Sequence, residues 1–121
     1  MPPTTNSPSD AAPLRERHCQ AVAKGAPPLT AAQAAQWQQQ LNDWERDGDT
    51  IRKVYRFRDF YQTMAFVNAL AWIAHQEDHH PDIEVGYNRC SVRYTTHAVG
   101  GLSLNDFICA AKVDALSATA S

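Results

Sequence analysis

Three histidines and one aspartate are the residues of this 121-residue chain with the clearest capacity for chemistry. His79 and His80 stand directly before Pro81, His97 follows His80 by seventeen residues, and Asp106 follows His97 by nine. Histidine has an unperturbed pKa of about 6.5, so it can both give and accept protons near neutral pH. The sequence therefore predicts general acid–base chemistry if the fold brings these side chains into one pocket.

The chain around the histidines favours such a meeting. A residue before proline avoids the helical region, so a helix that precedes Pro81 is expected to end near His79 and to leave His80 extended. At a helix C-terminus the dipole favours the charged imidazolium of His79 by about 0.3–1 kcal/mol, which suits a proton donor. An antiparallel hairpin follows, and it returns the chain so that His97 is expected near His80.

Each of these residues also has a purely structural interpretation. His79 can serve only as a partner of the helix dipole, His80 as an exposed loop residue, and His97 as the end of a strand. Asp106 stands three residues after Ser103, which is the spacing of a helix capping box. The functional interpretation therefore depends on the four residues together.

A metal site is the main chemical alternative. His75 and His79 lie four residues apart on one helical face, and His97 could supply a third zinc ligand. The His-Glu-x-x-His pattern of zinc hydrolases is absent, and Glu77 is expected on another side of the helix. We therefore expect neither a metal nor another cofactor.

The sequence before the histidines predicts two helices and two strands. Thr30 and Gln33 have capping-box spacing, and the apolar period that follows predicts a first helix over residues 30–42. Alternation predicts a strand over 50–58, with residues 44–46 as a short strand that pairs with it. From Asp59, a possible N-cap, to residue 78 there is no Gly or Pro, and two apolar stripes predict a central buried helix.

The remainder predicts a hairpin and a last helix. Residues 83–87 and 90–96 alternate on either side of a turn at Asn88-Arg89. Ser103 begins a third helix that runs to about residue 116. The predicted fold is α+β: a four-stranded antiparallel sheet covered on one face by three helices, in the order α-β-β-α-β-β-α. We expect a disordered tail over residues 1–13, an N-terminal extension or loop over 14–28, and a single domain over 29–121.

Composition excludes some classes of function. The net charge is −2 and the eleven Lys and Arg are spread along the chain, so no nucleic-acid footprint is predicted. No apolar run approaches the roughly 20 residues that span a bilayer, and the opening Met-Pro-Pro-Thr-Thr lacks a signal pattern, so a cytoplasmic location is expected. Cys19, Cys90 and Cys109 have no Cys-x-x-Cys spacing and are expected to be reduced thiols without a role.

The segment from residue 75 to residue 106 resembles the signature of the pterin-4a-carbinolamine dehydratases. That signature has a polar residue four before a His-His-Pro, an aromatic six after the Pro, a His ten later and an Asp nine beyond. Those positions hold here, in order, His75, His79-His80-Pro81, Tyr87, His97 and Asp106.

The resemblance extends over residues of about 29–116. It includes Trp44, the Tyr-Arg-Phe-Arg-Asp-Phe stretch at 55–60 and the Gly-Leu-Ser that follows Thr96-His97 at 101–103. This chain departs from the family in carrying His75 where members often have Glu, and in its N-terminal tail.

The resemblance implies loss of water from a 4a-hydroxytetrahydropterin to give the quinonoid dihydropterin. It implies that His79 and His97 are the acid–base pair, that His80 binds and orients the pterin, and that Asp106 supports the site. Which histidine donates and which accepts stays open. The implied need is a proton donor and a proton acceptor around a flat heterocycle, and two histidines meet it without a metal.

The resemblance also implies partners. An aromatic amino acid hydroxylase would supply the pterin substrate, and the chain would form a homodimer or homotetramer, in line with an exposed edge strand in a four-stranded sheet. The alternative function is a non-catalytic dimerisation or assembly cofactor, as some relatives serve. Such a scaffold would tolerate replacement of the three histidines.

Overall fold

The computed structural model describes the backbone of residues 12–119 and the side chains of residues 12–116. The predicted disordered tail, residues 1–13, therefore lies outside the described residues except for its last two positions. Over the described part, three helices and four strands follow the predicted order. They are α1 (Ala31–Gln38), β1 (Glu45–Asp47), β2 (Thr50–Arg56), α2 (Phe60–Glu77), β3 (Asp82–Val85), β4 (Arg89–Tyr94) and α3 (Leu104–Thr119).

The four strands form one antiparallel sheet in the order β1-β2-β4-β3. The predicted fold class and both predicted hairpins are confirmed, although the short first strand begins one residue later than expected. Alternate residues of β2 and β4 face the helices and are buried, apart from the half-buried Lys53, and the residues between them are exposed or half-buried. The buried set is Ile51, Tyr55, Cys90, Val92 and Tyr94. The helices therefore cover one face of the sheet, as alternation predicts for an antiparallel sheet with one solvated face.

The first helix is shorter than its apolar period predicts. Its capping box forms as expected, with Thr30 Oγ1 accepting from the Gln33 amide at 3.1 Å and Gln33 Oε1 accepting from the Thr30 amide at 2.9 Å. The helix ends at Gln38, however, and not at residue 42. A turn with Asp43 at φ 64° follows and carries Trp44 into the core, where it is 4% exposed. Trp44 is thus buried by a turn of the chain and not by a longer helix, although its spacing from Trp37 and Leu41 fits a helical period.

The second helix begins and ends as predicted but is not buried all round. Asp59 caps it, with its carboxylate accepting from the Gln62 amide at 2.9 Å. The stripe that contains Phe66 and Leu70 packs in the core, whereas Phe60 and Trp72 are 50% and 60% exposed. The prediction of a central buried helix was wrong because α2 lies on the outside of the single sheet and has a neighbour on only one side. No helix among residues 12–119 is long and apolar enough to cross a membrane.

A partly buried polar cluster holds α3 against the sheet. Asp114 accepts hydrogen bonds from Trp44 Nε1 at 3.0 Å, from Lys53 Nζ at 2.8 Å and from the Tyr55 hydroxyl. Burial, followed by the neighbouring carboxylate, raises the pKa of Tyr55 above its ordinary range, so the phenol stays a donor. Two donors from β2 and one from the turn before β1 therefore meet on one carboxylate and fix the helix that carries Asp106.

Candidate active site

One cavity of about 400 Å³ contains all three of the predicted histidines. It opens between the C-terminus of α2, the loop after β4 and a stretch of the N-terminal segment. Its size lies within the range of about 300–1,000 Å³ that is usual for small-molecule pockets. His79, His80 and His97 thus meet in one place, and Asp106 lies directly behind the first of them.

The end of α2 directs His79 and His80 into this cavity. Asp78 is in the left-handed region, with φ 51° and ψ 44°, a conformation that few non-glycine residues adopt but that Asp tolerates. The His79 amide still donates to the Ala74 carbonyl at 3.2 Å, which closes the last turn. The chain then leaves the helix before Pro81, as predicted, and starts β3 one residue later.

His79 and Asp106 form a close imidazole–carboxylate pair. His79 Nε2 lies 2.6 Å from Asp106 Oδ1, and the imidazole stacks on the Tyr94 ring with centroids 5.7 Å apart and an interplanar angle of 11°. The His79 side chain is 13% exposed, and its Nδ1 has no hydrogen-bond partner among the described residues. Because an ionised carboxylate only accepts, Nε2 carries the proton and Nδ1 is left able to accept one.

Asp106 itself is fully buried and saturated with donors. Its Oδ2 accepts from the Thr96 hydroxyl at 2.8 Å and from the Ser103 amide at 2.9 Å. The hydrogen bond from the Ser103 amide confirms half of the predicted capping box. The Ser103 hydroxyl does not return to α3 but pairs with Thr96 Oγ1 at 2.7 Å. Since Thr96 donates to the carboxylate, Ser103 donates to Thr96, and the chain of bonds ends on a fixed carboxylate.

His97 reaches the cavity from a tight loop after β4. The strand ends at Tyr94, two residues before the end predicted at residue 96, and His97 begins a single 3-10 turn. The Thr96 amide donates to the Gly101 carbonyl at 2.9 Å, which closes the loop at its base. A side chain at Gly101 would come within 3.0 Å of Pro28, so this position accommodates only glycine without a shift of its neighbour. The hydrogen bond between Thr96 and Gly101 thus fixes the loop, and the loop carries the exposed imidazole of His97.

Two other residues of the expected signature lie away from the cavity. His75 is exposed on α2, beside Trp72. The Tyr87 side chain is 66% exposed, and the backbone carbonyl of Tyr87 accepts a hydrogen bond from the Thr63 hydroxyl. Among residues 12–116 no three His, Cys, Asp or Glu side chains are arranged to hold a metal ion, so the alternative zinc set of His75, His79 and His97 is not assembled.

Sequence reasoning missed two parts of the cavity wall. Residues 19–22 of the N-terminal segment line it, and so does Glu77, which was expected on another side of the helix. Glu77 is 6% exposed and accepts from the Cys19 amide at 2.7 Å and from His18 Nδ1 at 3.0 Å. These partners are 58 and 59 positions apart in sequence, so no local pattern announces them.

The contacts of the Glu77 carboxylate with the N-terminal segment lead us to expect a pH-dependent contribution to stability. Burial acts to raise its pKa, but the hydrogen bonds from Cys19 and His18 and the attraction of Lys112 lower it below the ordinary value of 4.5. A depressed folded-state pKa contributes stability above the unfolded value, and that stability is lost as the pH falls through the folded value.

We therefore expect the wild type to melt at a higher temperature than Glu77→Gln at pH 6, and this advantage to shrink below about pH 4.5. Thermal denaturation of both proteins from pH 6 to pH 3 measures the difference. An advantage that stays constant over this range would contradict the assignment.

Comparison with known proteins places the chain in a family. A family model described as pterin 4 alpha carbinolamine dehydratase matches residues 27–116. A Nitrosospira multiformis protein named "Putative pterin-4-alpha-carbinolamine dehydratase" is 58% identical over 103 residues, which cover 85% of this chain and 91% of that protein. A Chromobacterium violaceum protein of the same name is 59% identical over 92 residues, or 76% of this chain and 85% of that protein. The chain belongs to the pterin 4 alpha carbinolamine dehydratase family.

Two solved structures share the fold at 28% identity. A transcriptional coactivator/pterin dehydratase from Brucella melitensis superposes with a TM-score of 0.72 over 74% of this chain and 98% of its own. A pterin dehydratase-like protein described as a RuBisCO assembly factor of the alpha-carboxysome superposes with a TM-score of 0.55 over 63% and 90%. The same fold therefore occurs in proteins described by different functions.

Proposed function

We propose that this protein dehydrates a 4a-hydroxytetrahydropterin to the quinonoid dihydropterin by general acid–base catalysis. The observation that carries the proposal is that His79, His80 and His97 line one cavity, with the buried Asp106 bonded to His79. Membership of the family supports the substrate class.

The reaction asks for one proton to be removed and another to be supplied. The N5–H proton leaves, its electron pair forms the second bond between N5 and C4a, and the C4a–O bond breaks as the hydroxyl takes a proton and departs as water. Groups positioned for such transfers contribute about 10²–10⁴-fold. Two imidazoles of one cavity meet both needs, and the substrate needs no other reactant.

The surroundings of the two histidines suggest different roles. The carboxylate of Asp106 holds the proton of His79 on Nε2 and stabilises the imidazolium that forms when Nδ1 accepts a second proton. We therefore assign proton abstraction to His79. His97 is exposed and lines the same cavity, and we assign to it the proton donated to the leaving hydroxyl.

His80 is assigned to pterin binding. It lines the cavity from the extended link between α2 and β3 and is exposed at the cavity mouth. His80→Ala is expected to raise KM by about three- to tenfold with little change in kcat, since a single lost hydrogen bond is worth on the order of 1 kcal/mol. Steady-state kinetics measure both constants, and a loss confined to kcat would contradict this role.

The direct test is to follow the absorbance of freshly made 4a-hydroxytetrahydropterin with and without the protein. Acceleration over the unaided dehydration is the expected result. The triple variant His79→Ala, His80→Ala, His97→Ala serves as control, because it lacks the three imidazoles that line the cavity. A wild type no faster than this variant would contradict the enzyme assignment.

In the cell the substrate would come from an aromatic amino acid hydroxylase, which consumes the reduced pterin and releases its 4a-hydroxy form. The product would then be recycled by a reductase-type reaction. This hydroxylase link and the cytoplasmic location stay predictions.

We also propose that the chain assembles into a homodimer or homotetramer. The outer edge of β3 has unpaired backbone groups, and its Ile83 and Val85 side chains are 37% and 42% exposed. The outer face of α2 adds Tyr61 and Trp72, which are 83% and 60% exposed. Multi-angle light scattering at micromolar concentration is expected to give the mass of two or four chains, and a monomer mass would contradict the proposal.

A non-catalytic role is the second candidate, because the two structural relatives are described as a coactivator/dehydratase and as an assembly factor. As a dimerisation or assembly cofactor, the chain would keep full partner binding when the cavity histidines are replaced. The triple variant described above distinguishes the two functions, since the dehydratase would lose turnover.

A further inference from the structure

A short part of the N-terminal segment closes one side of the histidine cavity. We call residues 18–22 the strap. Its residues from Cys19 to Val22 line the same cavity as His79, His80 and His97. The strap lies before the region that the family model matches, which begins at residue 27.

The strap is bound to α3 through the side chain of Asn105. The Gln20 amide donates to Asn105 Oδ1 at 3.0 Å, and Asn105 Nδ2 donates to the Gln20 carbonyl at 2.7 Å. Asn105 is 8% exposed, so this reciprocal pair is shielded from water. One side chain thereby satisfies both backbone groups of Gln20, as a neighbouring strand would.

The strap is bound to α2 through Glu77. That carboxylate takes the Cys19 amide on one oxygen and His18 Nδ1 on the other. Cys19 also lies against α3, where its Sγ is 3.5 Å from Cys109 Sγ. The hydrogen bond with Cys109, followed by burial, raises the pKa of the Cys19 thiol, so the thiol stays neutral and packs as a small apolar group.

Both anchors stand next to the acid–base residues. Asn105 directly precedes Asp106, and Glu77 stands two positions before His79. The strap is therefore held by the same two helix ends that hold the His79–Asp106 pair. Its position relative to the imidazoles is therefore set by α2 and α3, the elements that carry both anchors.

We propose that the strap is a wall of the pterin pocket, and that Ala21 sets how large a substrate the cavity admits. Ala21 is exposed and lines the cavity, and it is the strap residue with the smallest side chain. A flat bicyclic ring between the strap and the histidines then has a fixed cleft width. This inference rests on the proposed function for the identity of the ligand.

The test compares the same substitution at two alanines of the N-terminal segment. Ala21 lines the cavity and Ala23 does not, yet both are exposed and neither has a positive φ. Ala21→Phe is expected to raise KM, and the Kd for 7,8-dihydrobiopterin measured by calorimetry, by about tenfold or more, with kcat within about threefold of wild type. Ala23→Phe is expected to leave all three constants within about twofold of wild type.

Equal KM and Kd values for the two variants, whether both unchanged or both raised, would overturn the assignment of the strap. Failure of the proposed function looks different. A wild type that binds 7,8-dihydrobiopterin but does not accelerate dehydration would refute the activity, while a weakened Kd in Ala21→Phe alone would still support the strap.

Discussion

His79→Gln is expected to lower kcat for dehydration by about 10²-fold or more, which is the contribution of a positioned acid–base group. Glutamine keeps an amide donor that can face Asp106 but has no nitrogen able to accept a proton at neutral pH. His97→Gln is expected to cost a similar factor, because the leaving hydroxyl then takes its proton from water. Both losses appear in kcat, measured by the absorbance assay under saturating substrate.

A matched control lies on the same helix. His75 is exposed, stands four residues before His79 and lies outside the cavity, so His75→Gln is expected to leave kcat unchanged. Thermal denaturation should show His79→Gln within a few degrees of the wild type. Equal kcat values for His75→Gln and His79→Gln would remove His79 from the chemistry.

Asp106→Asn is expected to lower kcat by at least about 10²-fold with a smaller loss of stability, as replacing the aspartate of a His–Asp pair does when it selects the wrong tautomer. In the native protein Oδ2 takes two donors, from Thr96 and Ser103, and Oδ1 takes the His79 Nε2 proton. The asparagine has one acceptor, and placing it toward Thr96 and Ser103 turns its NH₂ toward His79. The imidazole must then accept at Nε2 and carry its proton on Nδ1, where the acceptor is needed.

Measurements of stability separate the structural role of Asp106 from its role in the chemistry. Asp106→Ala leaves the buried Ser103 amide and Thr96 hydroxyl without their acceptor, at about 1–3 kcal/mol for each unsatisfied group, so it should unfold at a lower urea concentration than Asp106→Asn. Asp59→Asn is the control, because it makes the same exchange at the N-cap of α2, the end of that helix opposite to His79. Asparagine caps a helix as well as aspartate does. If Asp106→Asn kept wild-type kcat, Asp106 would be a structural residue only.

Most of the fold follows from local signals. The alternation of β2 and β4, the capping boxes and the proline after His80 each act within a few residues, and they predict the order of elements and the end of α2 correctly. The errors arise where tertiary packing replaces a local preference. Trp44 reaches the core through a turn, so α1 ends at Gln38. One face of α2 packs on the sheet and α3, and Phe60, Tyr61 and Trp72 on its other side stay exposed.

The candidate site also has a part that local sequence predicts and a part that it does not. The spacing of His79, His80 and His97 around a hairpin indicates a common pocket, since the hairpin geometry is local. The participation of Glu77 and Asn105 depends on contacts with residues 58 and 85 positions away in sequence. Backbone groups of a loop carry no residue-type signal, so a side chain that binds them has no recognisable partner in the sequence.

The contact between Gly101 and Pro28 has a consequence for protein engineering. The loop that carries His97 touches the N-terminal segment there, and the Gly25 amide donates to the Ala98 carbonyl at 2.8 Å. These two stretches are therefore in direct contact. A chimera that takes its first thirty or so residues from a relative should therefore also take that relative's loop from residue 97 to residue 101, or the graft will meet a mismatched surface.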